Sequence, residues 1–140
     1  MTAKEYLEQY EDALRNAERM KKEYDRESAL LDAIRSPQGS DGQPHGSGVS
    51  SPIEQKAVRL AEKLTEYRDA AMEAMEMKRQ IIHVIRKVKG APGDVLYERY
   101  VNLRKWSEVA EVLKYSERQI YNLRDRGLDE VDKILGKRFQ

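Results

Sequence analysis

Residues 106–126 read WSEVAEVLKYSERQIYNLRDR, and this stretch decides the fold of the C-terminal part of the chain. A helix-turn-helix requires two helices that cross closely over a short turn, with a small residue where their backbones approach. Ala110 is that small residue, and residues 114–115 form the turn. Ser116 and Gln119 have the spacing of a capping box, so the second helix is expected to open at Ser116. The pattern predicts a helix-turn-helix.

Apolar residues on both sides of the turn are expected to hold its two helices together. They are Val109, Leu113, Tyr115, Ile120 and Leu123. Lys114 stands at a turn position that often holds glycine, because the backbone there tends toward the left-handed conformation. A lysine adopts that conformation at a cost of about 1–2 kcal/mol, which weakens the motif without excluding it. A three-helix bundle without any DNA contact is the alternative, because amphipathic helices alone would satisfy much of this pattern.

The outward positions of the helix that opens at Ser116 carry side chains able to meet base edges in a major groove. The candidates for base reading are Ser116, Glu117, Arg118, Tyr121 and Asn122. Arg118 and Asn122 lie four residues apart on one helix face, and they can make bidentate contacts to guanine and adenine. The candidates for contact with the phosphate backbone, which positions a protein without specifying sequence, are Lys87, Lys89, Arg124 and Arg126.

The same region carries a family resemblance. Residues 96–100 (LYERY), 106–110 (WSEVA) and 116–120 (SERQI) resemble region 4 of bacterial sigma factors, and the resemblance extends over residues 95–131. It implies that the helix opening at Ser116 reads promoter DNA, with Glu117, Arg118 and Asn122 at the positions that this family uses for base contacts. The residue types differ from the sigma pattern, so no target sequence is implied. Gly127 stands where that family usually has alanine, which leaves the continuity of the last helix open.

The layout of the whole chain adds to this resemblance. A long helical N-terminal part followed by a sigma-like helix-turn-helix in a short chain is similar to the phage and prophage regulators of the ArpU/RinA type. Those proteins are implicated in switching on the late genes of phages of Gram-positive hosts. The resemblance implies double-stranded DNA as a partner and a bacterial cytoplasm as the location, with RNA polymerase as a candidate second partner.

Two long helices are expected before residue 90. Thr2 and Glu5 have capping-box spacing, and apolar residues then recur at steps of three and four, which predicts one helix to about residue 35. Residues 51–54 (SPIE) are a second start signal, and the apolar seam that follows predicts a helix to about residue 89. Residues 90–93 (GAPG) are expected to end it and to act as a hinge.

The intervening residues 36–51 hold half of the eight glycines and two of the four prolines, so they are expected to be a flexible linker. The two long helices have similar lengths, roughly 50 and 55 Å at 1.5 Å per residue, and predict an antiparallel coiled-coil hairpin. The fold class is therefore all-α, with residues 1–89 as the hairpin and residues 90–140 as a separate helix-turn-helix domain.

The C-terminal domain is expected to begin with a helix capped by Asp94, whose buried face is Leu96, Tyr100 and Leu103. Trp106 is expected to pack at the start of the next helix rather than to stack on DNA. Beyond residue 127, the simplest interpretation of the apolar positions is a core-facing stripe. These positions are Leu128, Val131 and Leu135.

The hairpin carries apolar residues beside its main seam, which one hairpin alone would leave partly exposed. They are Tyr6, Ala13, Met20, Met75 and Ile82. We therefore expect residues 1–89 to form a homo-oligomer, a dimer or larger, in the manner of a four-helix bundle.

Composition argues against an enzyme. Charged residues make up 36% of the 140 residues and aromatic residues 7%, which suits long, surface-rich helices. There is no cysteine, the only histidines are His45 and His83, and no Gly-rich phosphate loop follows a strand pattern. We expect no cofactor, no metal site, no signal peptide and no membrane span.

Three functions fit these features. The leading hypothesis is a sequence-specific DNA-binding transcription regulator. The second is the small terminase subunit of a phage, which also combines a helix-turn-helix with oligomerising helices, although in that family the DNA-binding part usually comes first. The third is a coiled-coil adaptor that binds only protein. Binding to any duplex DNA at low salt separates the third from the other two.

Overall fold

A computed structural model describes residues 1–35 and 51–138, and these residues are almost entirely helical, without a strand among them. The elements are α1 (Ala3–Arg35), α2 (Pro52–Ile85), α3 (Ala91–Leu96), a π-helical turn (Tyr97–Val101), α4 (Trp106–Leu113) and α5 (Glu117–Arg138). The all-α fold class is thus confirmed. The expected linker lies outside the described residues, apart from Ser51. None of the described helices is both long and apolar enough to cross a membrane.

The two long helices begin where their capping residues predict. The Thr2 hydroxyl accepts a hydrogen bond from the backbone N–H of Glu5 at 3.2 Å, and the Glu5 carboxylate accepts one from the N–H of Thr2 at 3.2 Å. At the second start, the Ser51 hydroxyl accepts from the N–H of Glu54 at 3.1 Å. Each side-chain acceptor satisfies an N–H group that has no partner inside the helix.

The end of α2 differs from the prediction. The helix stops at Ile85 rather than near residue 89, and the next bonds tighten to three-residue steps, from the N–H of Lys87 to Val84 and from that of Val88 to Ile85. Apolar periodicity continues through Val88 because that side chain is buried in the core outside the helix. Apolar periodicity indicates which side chains are buried, and here burial continues beyond the last residue of the helix.

The expected hinge and the expected cap at Asp94 were also wrong. Residues 91–93 belong to α3, and Gly90 precedes the helix with φ at 79°, a conformation that favours glycine. Asp94 lies inside the first turn of α3 and does not cap it. A Cβ at Gly93 would collide with the carbonyl oxygen of Val88, so this glycine allows α3 to pack against the turn that follows α2.

The described chain divides into two compact units. The hairpin unit is Arg15–Met72, and the bundle unit combines Met1–Leu14 with Glu73–Gln140. This division differs from the predicted boundary near residue 90, because α1 and α2 each contribute one end to the bundle unit.

In the hairpin unit, α1 and α2 run antiparallel. Lys63 pairs with Glu23 at 3.0 Å and Arg59 pairs with Glu27 at 3.8 Å, so a step forward along α1 corresponds to a step back along α2. The two carboxylates near Lys63, first that of Glu23 and then that of Glu66, raise the pKa of its ammonium. Both pairs lie near the surface, where such contacts contribute little to stability. Among the described residues of this unit, those that are buried are Ala17, Leu31 and Ala70.

In the bundle unit, the first turns of α1 and the last turns of α2 share one core with α3 and α5. The fully or nearly buried members of this core are Ala3, Tyr6, Leu7, Tyr10, Ala74, Ile81, Val84, Ile85, Val88, Leu96, Tyr100, Val101, Val131 and Leu135. The backbone N–H of Ala3 also donates to a carboxylate oxygen of Asp132 on α5, at 2.9 Å. The N-terminus of the chain is therefore part of the structure that supports the helix-turn-helix.

This core changes the interpretation of the apolar residues that lie beside the main seam of the hairpin. Tyr6 is buried in it, so the expectation that this residue would be left partly exposed was wrong, whereas Ala13 and Ile82 pack against the core and are half-buried. Met75 is 68% exposed, and Met20 is half-buried. Of the five residues that a second copy was expected to cover, the bundle core buries Tyr6 and covers Ala13 and Ile82 in part.

Candidate nucleic-acid interface

The turn between α4 and α5 has the geometry that its sequence predicts. Lys114 adopts the left-handed conformation, with φ 60° and ψ 43°. The N–H groups of Lys114 and Tyr115 both donate to the carbonyl oxygen of Ala110, the second at 3.1 Å, and so satisfy an acceptor at the end of α4. The chain reverses within a few residues and enters α5.

The start of α5 is closed by a complete capping box. The Ser116 hydroxyl accepts from the N–H of Gln119 at 3.2 Å, and the Gln119 side-chain oxygen accepts from the N–H of Ser116 at 2.9 Å. The side chain of Gln119 therefore turns back onto the backbone, and its oxygen is engaged in the box. This box also holds the first turn of α5 in one conformation.

A small apolar cluster joins the two helices. Its buried members are Val95, Val109, Ala110 and Ile120, and Trp106, Leu113 and Leu123 pack against them. Four of the five predicted anchors are thus found in the contact. Tyr115 is the exception, since it is 37% exposed, and the prediction that it anchors the helices was wrong. It follows the left-handed residue directly, where the chain has already turned away from the cluster.

The five predicted base-reading residues are all exposed at the N-terminal end of α5. They are Ser116, Glu117, Arg118, Tyr121 and Asn122. Ile120, which lies among them in sequence, is fully buried. A helix turns about 100° per residue, so the buried face centred on Ile120 leaves Arg118 and Asn122 on the opposite side of α5. Neither has an ion-pair or side-chain hydrogen-bond partner among the described residues.

Tyr121 is held by aromatic neighbours and the Ser116 hydroxyl is engaged in the capping box, so these two residues are less free than the other three. Its ring makes an edge contact with Trp106, with centroids 6.2 Å apart. The guanidinium of Arg124 lies 4.9 Å from the Tyr121 ring centroid and 5.6 Å from that of Trp106. Arg124 also pairs with Asp125 at 2.9 Å. Arg124 thus packs along the flank of α5, and its expected contact with the phosphate backbone stays a prediction.

Trp106 packs at the start of α4, as expected. Its ring contacts Tyr100 edge-on at 6.2 Å, and the guanidinium of Arg99 lies 5.6 Å from its centroid. Burial raises the pKa of the Tyr100 hydroxyl above its ordinary value. Trp106 thus links the π-helical turn to α5 from within the protein.

The three remaining phosphate-contact candidates come together in one groove. Lys87 and Lys89 lie on the turn after α2, and they line a groove of about 460 Å³ together with Arg126 on α5. The same groove contains Lys133, a residue that the sequence argument missed because it lies beyond the motif. The acidic residues Asp129 and Glu130 also line it. We call this feature the basic groove.

Among residues 1–35 and 51–138, no group of three or more histidine, cysteine, aspartate or glutamate side chains could hold a metal ion. The described site consists of an exposed helix face and a groove lined by four basic, two acidic and two apolar residues. No protein-family model, curated protein or solved structure matches this chain.

Proposed function

We propose that the protein is a sequence-specific DNA-binding transcription regulator that reads the major groove with the N-terminal part of α5. The observation that carries the proposal is the exposed face of α5, on which Arg118 and Asn122 lie four residues apart and without partners among the described residues. An α-helix fits the major groove, which is about 12 Å wide, and residues near its N-terminus are the ones that reach base edges.

Several features of the site support this use. The capping box at Ser116 and the buried contacts of Ile120 hold α5 against α4, so the exposed side chains project from a rigid element. Arg118 and Asn122 have the donor and acceptor groups for guanine and adenine, and Glu117 can accept from cytosine. The likeness to sigma region 4 and to phage late-gene regulators extends the proposal to a phage-encoded regulator.

The test begins with selection of bound duplexes from a random DNA pool, followed by affinity measurement on one selected and one scrambled duplex. Arg118→Ala or Asn122→Ala should cost about 1–3 kcal/mol on the selected duplex, because a bidentate base contact is lost, and little on the scrambled one. Arg19→Ala, which removes an exposed charge in the hairpin unit, is the control and should change neither affinity. Normal binding by well-folded Arg118→Ala and Asn122→Ala would exclude this face as the reader.

A protein-binding adaptor is the second candidate, because the hairpin unit leaves apolar side chains uncovered where α1 ends and α2 begins. Leu30, Ile34, Ile53 and Val58 are between 37% and 60% exposed. Self-association of the chain would also use such residues, and we propose a homo-oligomer for this reason. Failure to bind any duplex at low salt would favour the adaptor, and sedimentation of the full chain would measure the oligomer.

A further inference from the structure

The basic groove lies on the same side of α5 as the proposed reading face. Residues 118, 122, 126, 129 and 133 fall within an arc of about 80° at 100° per residue. All five are exposed, whereas the opposite side of the helix carries Ile120, Gly127 and Val131, which are buried. One exposed stripe therefore runs along α5 from Arg118 to Lys133.

The two ends of this stripe are too far apart to contact the same base pairs. Arg126 lies about 12 Å along the helix axis from Arg118, and Lys133 lies about 22 Å from it, at 1.5 Å per residue. The major groove is about 12 Å wide and 8.5 Å deep. When α5 enters the groove by its N-terminal end, with Arg118 at the base edges, Lys133 lies well beyond the 8.5 Å depth of the groove, at the level of the phosphates.

Positive charge is concentrated at the C-terminal end of this stripe on α5. Lys87 and Lys89 approach α5 from the turn after α2 and add to Arg126 and Lys133 in the basic groove. In the described parts of the chain, Lys87, Lys89 and Arg126 have no ion-pair partner, and Lys133 has only a surface contact with Glu130 at 3.5 Å. The tight packing of Gly93 against Val88 fixes the turn that carries the two lysines.

We propose that the basic groove binds the phosphodiester backbone of the duplex, next to the base pairs that Arg118 and Asn122 read. This inference rests on the proposed function and extends the contact to a second, sequence-independent region that includes Lys133. The acidic side chains Asp129 and Glu130 lower the local charge and disfavour a small free anion. A DNA backbone is different, because it presents several phosphates along its length to lysines on two separate elements.

The test measures duplex affinity between 50 and 200 mM salt for the full chain. The variant is Lys87→Ala/Lys89→Ala/Lys133→Ala. The control is Lys21→Ala/Lys22→Ala/Arg26→Ala, which removes the same charge from exposed positions of the hairpin unit. Each phosphate contact contributes about 0.9 to the slope of log affinity against log salt, so loss of three contacts should lower that slope by about 2.7. Over this range, the wild-type affinity should then fall about 40-fold more than that of the variant.

The outcomes separate the two proposals. Three results together support the proposal for the basic groove. The slope of log affinity against log salt falls equally for the groove variant on the selected and scrambled duplexes, and the variant still prefers the selected duplex. Its melting temperature equals that of the wild type. The proposal is overturned if the groove variant keeps the wild-type slope, or if the slope of the control variant falls by as much. The Arg118→Ala result can still uphold the reading face in either case. Absence of duplex binding by the wild-type chain would overturn both.

Discussion

At the scale of single residues, one glycine is required where two helices approach each other closely. Gly127 lies in the middle of α5, and a Cβ there would lie 2.9 Å from Leu96 Cδ1 and 3.2 Å from the carbonyl oxygen of Pro92. α5 nevertheless continues through it, which resolves the continuity that the sequence left open. Glycine is present because α3 crosses α5 at this point, and not because the helix breaks.

Gly127 and Gly136 form a matched pair for a test on one helix. Gly136→Ala should raise the free energy of unfolding by about 0.5–1 kcal/mol, since nothing lies within 4 Å of its Cβ and alanine favours the helix. Gly127→Ala should lower it by about 1–3 kcal/mol, because the Cβ would overpack the buried Leu96. Urea unfolding followed by circular dichroism measures both values. Equal stabilisation by the two substitutions would refute the close approach.

At the scale of elements, the link between the π-helical turn and α4 is held by polar contacts around Glu98. Its carboxylate accepts hydrogen bonds from Asn102 at 3.0 Å and from Arg104 at 2.7 Å. These contacts, that of Asn102 first, lower the pKa of Glu98 against the opposing effect of burial. The Arg99 guanidinium adds a bond to the carbonyl oxygen of Arg104 at 3.0 Å. The link therefore places α4, and with it the helix-turn-helix.

Glu98→Gln should destabilise the protein by about 1 kcal/mol at neutral pH, because the charge-assisted bonds are lost. Because the pKa of Glu98 is lower in the folded state than in the unfolded state, ionisation of its carboxyl group stabilises the folded state. The contribution is complete above the unfolded-state pKa of about 4.3 and disappears as the pH falls through the lower folded-state value. The stability gap between wild type and variant should close in acid, as measured by urea unfolding from pH 7 to pH 3. The exposed Glu111→Gln serves as the control, and a gap that does not vary with pH would contradict the assignment.

At the scale of the whole molecule, the helix-turn-helix shares its core with the first turns of the chain. Leu7 on α1 is fully buried among side chains that include Val131 and Leu135 of α5. Residues 90–140 were expected to form a separate domain, yet the core that supports α5 draws on both ends of the described chain. The stability of α5 is therefore coupled to that of the first turns of α1.

Leu7→Ala tests this coupling, with Leu30→Ala on the same helix as its control. Leu7 is 0% exposed and Leu30 is 46% exposed. Leu7→Ala should cost about 2–5 kcal/mol, because it removes buried methyl groups and leaves a cavity. The unfolding transition seen by Trp106 fluorescence should shift with it, and Leu30→Ala should shift that transition far less. An unchanged Trp106 transition in Leu7→Ala would show that the helix-turn-helix is independent of α1.

The sequence by itself determined the features that depend on near neighbours along the chain. Thr2, Ser51 and Ser116 each cap a helix with a partner three residues away, and the left-handed turn at Lys114 follows from the short connection between two amphipathic helices. The same local periodicity placed Arg118 and Asn122 on an exposed face. Such interactions span one turn of backbone, so a residue pattern is enough to predict them.

Only the tertiary structure decided where the core lies and which charges meet. Lys133 joins Lys87 and Lys89 because the turn after α2 packs beside α5, and no pattern in the sequence connects positions so far apart. Tyr6 was expected at an interface between copies, whereas the side chains that bury it come from the same chain. Apolar periodicity shows that a face must be buried, but which surface covers it depends on the packing of the whole chain.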